Sequence, residues 1–286
     1  MDISIILLNY KSKELIKQCL KGVVLSQPQL DYEIIVVDND SDDGCLEMVN
    51  NLFSREYIQR FRLANGKELV VPPIVTMQSK VNGGFAYGNN LGIKAAKGKY
   101  VMILNSDIAI VSGVIEKMYH YLEHNESVGM IGPKLIYPDG TIQYSCRRFP
   151  NTFVPLYRRT IFGKLPFAQN SVNQYLMIDI EHDKTIPVDW LFGACLLIRQ
   201  SILVKVGLFD ERFFMYFEDL DLCRRFWENK SQVVYFPEVV LVHYHTRFSA
   251  EREGILGVFK LGGRIHLISG IKYFLKYFGI KTPGRS

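Results

Sequence analysis

The stretch Glu33-Ile34-Ile35-Val36-Val37-Asp38-Asn39-Asp40-Ser41-Asp42-Asp43-Gly44 decides the fold. Its apolar run, Ile34 to Val37, stops without transition at a turn rich in carboxylates. A run that is apolar at every position is a strand covered on both faces, as in a parallel sheet sandwiched by helices. Upstream, Ile3 to Leu8 is another apolar run, broken only by Ser4. Between the two, Glu14 to Leu25 carries Leu15, Ile16, Leu20, Val23 and Val24 at helical spacing. Downstream, Val70 to Met77 reads as a strand interrupted at its start by Pro72-Pro73, and Gly88 to Ala96 as a helix. Tyr100 to Leu104 is a fourth strand, ending in Asn105-Ser106-Asp107. This alternation predicts an α/β fold: a Rossmann-like, mainly parallel central sheet flanked by helices.

Beyond Asp107 the pattern loosens. A helix is predicted from Ser112 to about Leu122, with Ser112 and Glu116 near its start. Val128 to Ile136, the turn Tyr137-Pro138-Asp139-Gly140 and Thr141 to Ser145 read as strand, turn and return strand. Phe149 to Ile186 has no readable period and is assigned to loops. Ala194 to Ile198 reads as a strand, Glu218 to Asn229 as a helix, and Val233 to Phe236 and Val239 to His243 as two short strands. Residues 252 to about 280 look helical. The chain therefore divides into a domain over residues 1–250 and a helical C-terminal extension over 251–286.

Composition narrows the function. With 48% apolar and 22% charged residues in 286, the chain buries a full core and is not disordered. A net charge of +5 suits a nucleoside diphosphate or an anionic membrane surface, and is too small to mark a nucleic-acid binder. The cysteines Cys19, Cys45, Cys146, Cys195 and Cys223 form no C-x-x-C pair. That argues against a disulfide framework or a thiolate zinc site, and for a reducing cytoplasm. The run Ile3 to Leu8 is too short for a signal peptide or a membrane span.

Ligands of open α/β sheets sit beyond the carboxyl ends of the parallel strands. Asp38 and Asp107 stand at two such ends. Either alone also reads as an ordinary polar turn; two in one unit weaken that reading. The usual phosphate cradles are missing. The glycines of Asn82-Gly83-Gly84-Phe85-Ala86-Tyr87-Gly88 have the wrong spacing for a dinucleotide turn, and Tyr100 follows Gly98-Lys99 where a P-loop needs Ser or Thr. A diphosphate held by a divalent cation needs neither, and Asp107 can ligate one. Phe217-Glu218-Asp219-Leu220-Asp221 opens a helix, where carboxylates are favoured by the dipole alone or serve as a rigidly held general base. His243, in His243-Tyr244-His245, reads as a metal ligand or a structural residue.

In this order the segments resemble family 2 glycosyltransferases, and in particular a bacterial rhamnosyltransferase-like branch. The resemblance runs from Ile3 to about Ser249. It is carried by Asn9-Tyr10, Val36-Val37-Asp38-Asn39-Asp40-Ser41, the Asn82 to Gly92 segment, Leu104-Asn105-Ser106-Asp107, Arg147-Arg148-Phe149-Pro150, Gly193-Ala194, Phe217 to Asp221 and His243. It implies a GT-A fold and an inverting, metal-dependent transferase. Asp38 is then expected to accept from a pyrimidine N3–H, with Tyr10 against the base. Asn82, Gly84, Asn89 and Ser106 join the donor-binding set. Asp107 is the last residue of the DXD motif and is expected to bind Mg²⁺ or Mn²⁺, with His243, or in its place His245, helping to hold the metal or the diphosphate. Asp219 is expected to be the base, with Glu218 beside it. Arg148, Trp190 and Arg247 are assigned to acceptor or phosphate contacts.

The sequence departs from the family in having one carboxylate in Asn105-Ser106-Asp107 rather than two. After His243 it also lacks the glycines often found there. The implied donor is a nucleotide-diphosphate sugar, first dTDP-L-rhamnose and next a UDP-hexose. The implied acceptor is a glycan or lipid-linked glycan of the cell envelope. A sugar nucleotidyltransferase would want a glycine-rich basic loop in place of Asn9-Tyr10-Lys11-Ser12. A non-catalytic binding module would not need Asp107 and Asp219.

In the extension, Leu267, Ile268, Ile271, Phe274, Leu275 and Phe278 share one helical stripe, with Lys272, Lys276 and Lys281 supplying positive charge. Two readings stay open: a helix docked on the domain with a solvated basic face, or one lying on the inner membrane leaflet near a lipid-linked acceptor. Tyr157, Arg158, Arg159, Ile161 and Phe162 would join the second.

Overall fold

The computed structural model describes residues 1–53, 69–157, 163, 165–244 and 261–284. His245, Arg247, Arg158, Arg159, Ile161 and Phe162 lie outside the described residues.

Strands β3 (Ile74–Gln78), β2 (Tyr32–Asp38), β1 (Ile3–Asn9) and β4 (Tyr100–Leu104) lie side by side in that order, all parallel. The register sets Asn9 opposite Asp38, and Asp38 opposite Gln78, at their carboxyl ends. This half is the parallel sheet read from the sequence. The other half is mixed. β11 (Cys195–Arg199) runs antiparallel to β4, and β6 (Val128–Ile136) antiparallel to β11. β12 (Gln232–His243) is parallel to β6, and the short β5 (Ile108–Ala109) runs antiparallel along its end. Two reversals bring β6 and β12 back to the direction of β4, so the end of β12 shares the edge at which β1, β2 and β4 terminate.

Alternate residues of the central strands feed two cores. Ile3, Ile5, Leu7, Ile34 and Val36 pack under α1 (Lys13–Ser26), α2 (Cys45–Leu52) and α4 (Val114–His124). Ile6, Ile35, Val37, Val101 and Ile103 pack under α3 (Gly84–Ala95), α7 (Gln200–Val206) and α8 (Glu218–Glu228). Covering both faces is what makes the middle of these strands apolar at nearly every position, and where Ser4 and Glu33 interrupt it the Ser4 hydroxyl donates to the Glu33 carboxylate (2.7 Å).

Several elements differ from the sequence reading. α3 begins four residues earlier, at Gly84, because Phe85 N–H donates to Phe214 O (2.7 Å) and fixes the first turn. Ser112 does not cap α4; Gly113 does, in the left-handed conformation and without a side-chain bond. The two short strands after residue 232 are one strand, β12, with an irregularity between Phe236 and Val240. Pro237 falls within that irregularity, and lacks the N–H a regular ladder uses. The stretch from Phe149 to Ile186 holds helices α5 (Val154–Tyr157) and α6 (Pro166–Leu176), the latter opened by a proline at its first turn.

The described part of the extension is α9 (Leu261–Lys276). It docks through Gly262, Gly263, Ser269, Gly270 and Tyr273. The predicted stripe mostly faces away: Leu267, Ile268, Ile271, Leu275 and Phe278 are exposed, and only Phe274 packs inward. The small residues explain the reversal, since they let the helix backbone approach its neighbour where leucines would not. Among the described residues no helix is long and apolar enough to cross a membrane.

Candidate functional site

The polar side chains at the carboxyl edge form three connected groups. The first surrounds Asp38. Asn9 Nδ2, at the end of β1, donates to Asp38 Oδ1 (2.7 Å) and to Ser41 Oγ (3.0 Å). Ser41 N–H donates to Asp38 Oδ2 (3.3 Å). Burial pushes the Asp38 carboxyl up, but hydrogen bonds from Ser41, Asn9 and Gln78 outweigh it and hold it below the ordinary value. It is thus an ionised acceptor at neutral pH, suited to an N–H or hydroxyl donor. Tyr10 follows directly after Asn9 and leaves its ring 47% exposed, available to a flat partner.

The floor beside it is built by Asn39, Asn82 and Gly84. Asn39 Nδ2 donates to Asn82 Oδ1 (2.9 Å) and to Gly84 O (3.2 Å), and Gly84 N–H returns to Asn82 Oδ1 (3.1 Å). Gly84 has φ +85°, and a Cβ there would run into the Phe214 carbonyl, so only glycine fits. Asn89 donates to Phe85 O (2.9 Å) within its own helix and is buried. Its neighbour Asn90, not singled out in the sequence, donates to Phe209 O and Glu211 Oε1 and accepts from Phe209 N–H, pinning the following loop.

The second group is Asp107, His243 and Gln143. Asn105 N–H donates to Ala194 O (2.8 Å), and β5 sets Ile108 opposite His243, which fixes the turn carrying Ser106 and Asp107. His243 Nε2 lies 3.1 Å from Asp107 Oδ1, and its Nδ1 lies 2.8 Å from Gln143 Oε1. Gln143 Nε2 donates to His243 O (3.0 Å), which orients the amide so that its oxygen faces the ring. That oxygen only accepts, so Nδ1 carries the hydrogen and Nε2 is the ring nitrogen that faces Asp107. An imidazole nitrogen and a carboxylate oxygen are both donors that Mg²⁺ or Mn²⁺ accepts, and the two atoms face one another. The donor set fits a hard divalent cation. Among the described residues no cluster of three or more His, Cys, Asp or Glu surrounds the pair. Gln143 sits on β7 (Ile142–Gln143), the return strand along β6, and nothing in the sequence separates it from an ordinary strand residue.

The third group opens α8. Asp219 accepts from Gly193 N–H (3.0 Å) and Leu220 N–H (2.8 Å). Glu218 is only 5% exposed. Burial first, then the charges of Asp219 and Asp221, push the Glu218 carboxyl well above its ordinary value. Burial also raises Asp219, partly offset by the two N–H donors and the Arg147 charge. Two backbone N–H donors hold the Asp219 carboxylate in place, and its raised basicity suits a general base.

Arg147, rather than Arg148, is the cation turned inward. It is buried, with its guanidinium 4.2 Å from the Phe192 ring and 5.3 Å from those of Trp190 and Tyr175. Arg148 is engaged bidentately by Asp179 (2.9 Å to each oxygen). Trp190 donates Nε1–H to Arg148 O (3.0 Å) and lines the floor under Arg147. The strand β8 (Cys146–Arg147), paired with β10 (Trp190–Leu191), decides which arginine points in; the sequence Arg147-Arg148 alone does not.

Solved structures resemble the chain over most of its length. S. aureus TarS 1-349 in complex with UDP matches with a TM-score of 0.54 and 17% identity, covering 85% of this chain and 60% of that one. The mannosyltransferase PcManGT from Pyrobaculum calidifontis, in complex with GDP-Man and Mn²⁺, matches at 0.53 and 13%, covering 98% and 75%. These likenesses establish the GT-A fold. In sequence, the N-acetylglucosaminyl-diphospho-decaprenol L-rhamnosyltransferase of Mycobacterium tuberculosis (strain ATCC 25618 / H37Rv) is 33% identical over 148 residues, 51% of this chain and 47% of its own. The chain thus spans about half the length of that relative. Rhamnosyltransferase WbbL of Escherichia coli (strain K12) is 26% identical over 231 residues, 74% of this chain and 82% of its own. The model of the family described as Glycosyl transferase family 2 matches residues 4–181, more than half of the sequence, and the chain belongs to that family.

Proposed function

We propose that the chain transfers a sugar from a nucleoside-diphosphate donor to a hydroxyl of a glycan or lipid-linked glycan, by a single displacement that inverts the anomeric carbon. The observation that carries this reading is Asp219, a carboxylate of raised basicity held by two backbone N–H groups beside the nucleotide floor. Gly193 joins the two: a Cβ added to it would stand 3.3 Å from the Phe85 ring and 3.5 Å from the Asp219 side chain. Asp38 and Tyr10 hold the base, and the Asn82–Gly84 turn, Asn89 and Ser106 shape the donor pocket. Asp107 and His243 would hold Mg²⁺ or Mn²⁺, which when bound neutralises the diphosphate. Asp219 removes the acceptor proton as its oxygen attacks the anomeric carbon, and the diphosphate leaves with the electron pair of the broken bond. Trp190 and Arg147 line the acceptor side.

The two rhamnosyltransferase names among the relatives favour L-rhamnose from dTDP-rhamnose in cell-surface polysaccharide synthesis. A UDP-hexose donor is the second reading, favoured by the 33% identity over 129 residues to the poly(ribitol-phosphate) beta-glucosyltransferase of Bacillus spizizenii. The outward face of α9, with Leu261, Leu267, Ile268, Ile271 and Leu275 beside Arg264 and with Phe278 exposed just beyond its end, suits the surface of an anionic bilayer that presents a lipid-linked acceptor. On this reading the protein sits peripherally on the cytoplasmic side of that bilayer.

Three outcomes are expected. Asp219→Asn loses turnover by roughly 10³-fold while donor-nucleotide affinity holds, read by single-turnover kinetics and calorimetry; retained turnover removes Asp219 from the role. Because the base must be ionised and its pKa is raised, kcat/KM falls as pH drops through a value above that of an ordinary aspartate, about 4. An acid limb at or below that value contradicts the buried-base reading. On vesicles containing anionic lipid the full chain floats, and Ile271→Asp with Leu275→Asp abolishes flotation; equal flotation of both proteins, or of neither, contradicts the bilayer contact.

A further inference from the structure

Two successive non-glycine residues, Tyr216 (φ 69°) and Phe217 (φ 71°), adopt the left-handed conformation directly before Glu218 and Asp219. Side chains with a Cβ resist that conformation, so it persists only where surrounding contacts over-determine it. α9 supplies those contacts. Ser269 Oγ donates to Met215 O (2.9 Å), and Lys272 Nζ donates to Arg212 O (2.6 Å). The Phe217 ring lies 5.1 Å from that of His266 and 5.6 Å from that of Tyr273. Gly270 passes so close that an added Cβ would stand 3.3 Å from the tip of Phe217.

The same helix reaches the first turn of α8. Asp221 is fully buried and accepts from Arg225 Nε (2.9 Å), Lys276 Nζ (2.5 Å) and Tyr277 OH (2.8 Å). Lys276 also bonds Asp210 (2.8 Å). The first turn of α8 is thus gripped from two directions: Gly193 N–H on Asp219, and α9 on Asp221. The turn before it also meets the nucleotide floor, where Phe214 O accepts from Phe85 N–H.

We propose that α9 is a working part of the site, and that Lys276 and Tyr277 are positioning residues that act through Asp221 to aim Asp219. The inference rests on Asp219 being the base. The hydrogen bonds of Lys276 and Tyr277 go to Asp210 and Asp221, away from the Asp38 and Asp107 groups, so their loss should slow the chemical step and spare nucleotide binding. A helix docked only for stability would lower the melting temperature and leave kcat unchanged.

The test compares Lys276→Met, Tyr277→Phe and the conservative Lys276→Arg in the full chain, at a temperature where each retains the wild-type circular dichroism. Lys276→Met and Tyr277→Phe should lower kcat roughly ten- to a hundredfold, with nucleotide Kd changed by less than about threefold and Lys276→Arg restoring most of the rate. Tyr277→Phe removes one hydroxyl and keeps the ring, so it carries the test if Lys276→Met does not fold. A kcat within about twofold of wild type in a folded Tyr277→Phe or Lys276→Met overturns the proposal. Asp219→Asn, measured alongside, tests the base assignment separately: if it is inactive while Tyr277→Phe keeps full rate, the base stands and the positioning role fails.

Discussion

Everything at the candidate site follows from the shared direction of β1, β2 and β4. Parallel pairing puts Asn9 opposite Asp38 and ends β4 two residues short of that line, so every chain turn that leaves these strands emerges at one edge. Their side chains are buried on both faces, which leaves the strand ends as the places where polar groups meet solvent. The antiparallel β11 then has a particular consequence. It enters the sheet at the same edge, so its leading residues, Gly193 and Ala194, stand beside the end of β4 and offer backbone groups to Asp219 and Asn105. A strand parallel to β4 would have carried those groups to the far side.

The site joins groups with opposite electrostatic tasks. Asp38 is surrounded by donors that keep it charged, as an acceptor requires. Asp219 and Glu218 are desolvated next to one another and pushed up, as a proton acceptor requires. Asp107 faces an imidazole whose orientation is set by Gln143, and on the proposed reading the pair would hold the cation. These differences arise from the neighbours each carboxylate meets: side-chain donors for Asp38, a buried helix start for Asp219, and a strand-held ring for Asp107.

The parts legible in sequence are those decided locally. Continuous apolar runs mark β1, β2 and β4, and the abrupt change to Asp38 and Asp107 marks their ends. What escapes is decided by contacts between distant segments. The first turn of α3 depends on the Phe214 carbonyl more than a hundred residues away, so the local pattern marks no helical residue before Gly88. Gln143 acquires its place only when β7 folds back along β6 and its side-chain amide meets His243 of β12. Arg147 and Arg148 are adjacent and chemically alike, and only the β8–β10 pairing sends the first inward. The C-terminal apolar stripe is present as its spacing predicts, but it faces outward because the opposite, small-residue face packs more closely against the turn before α8.

Calorimetric titration of dTDP, UDP and GDP, each with and without Mn²⁺, into the wild-type chain and Asp107→Ala tests the central claim most directly. The expected result is that one pyrimidine diphosphate binds, that Mn²⁺ strengthens its binding, and that Asp107→Ala removes the Mn²⁺ effect. Binding of none of the three would contradict a nucleotide site at this edge of the sheet.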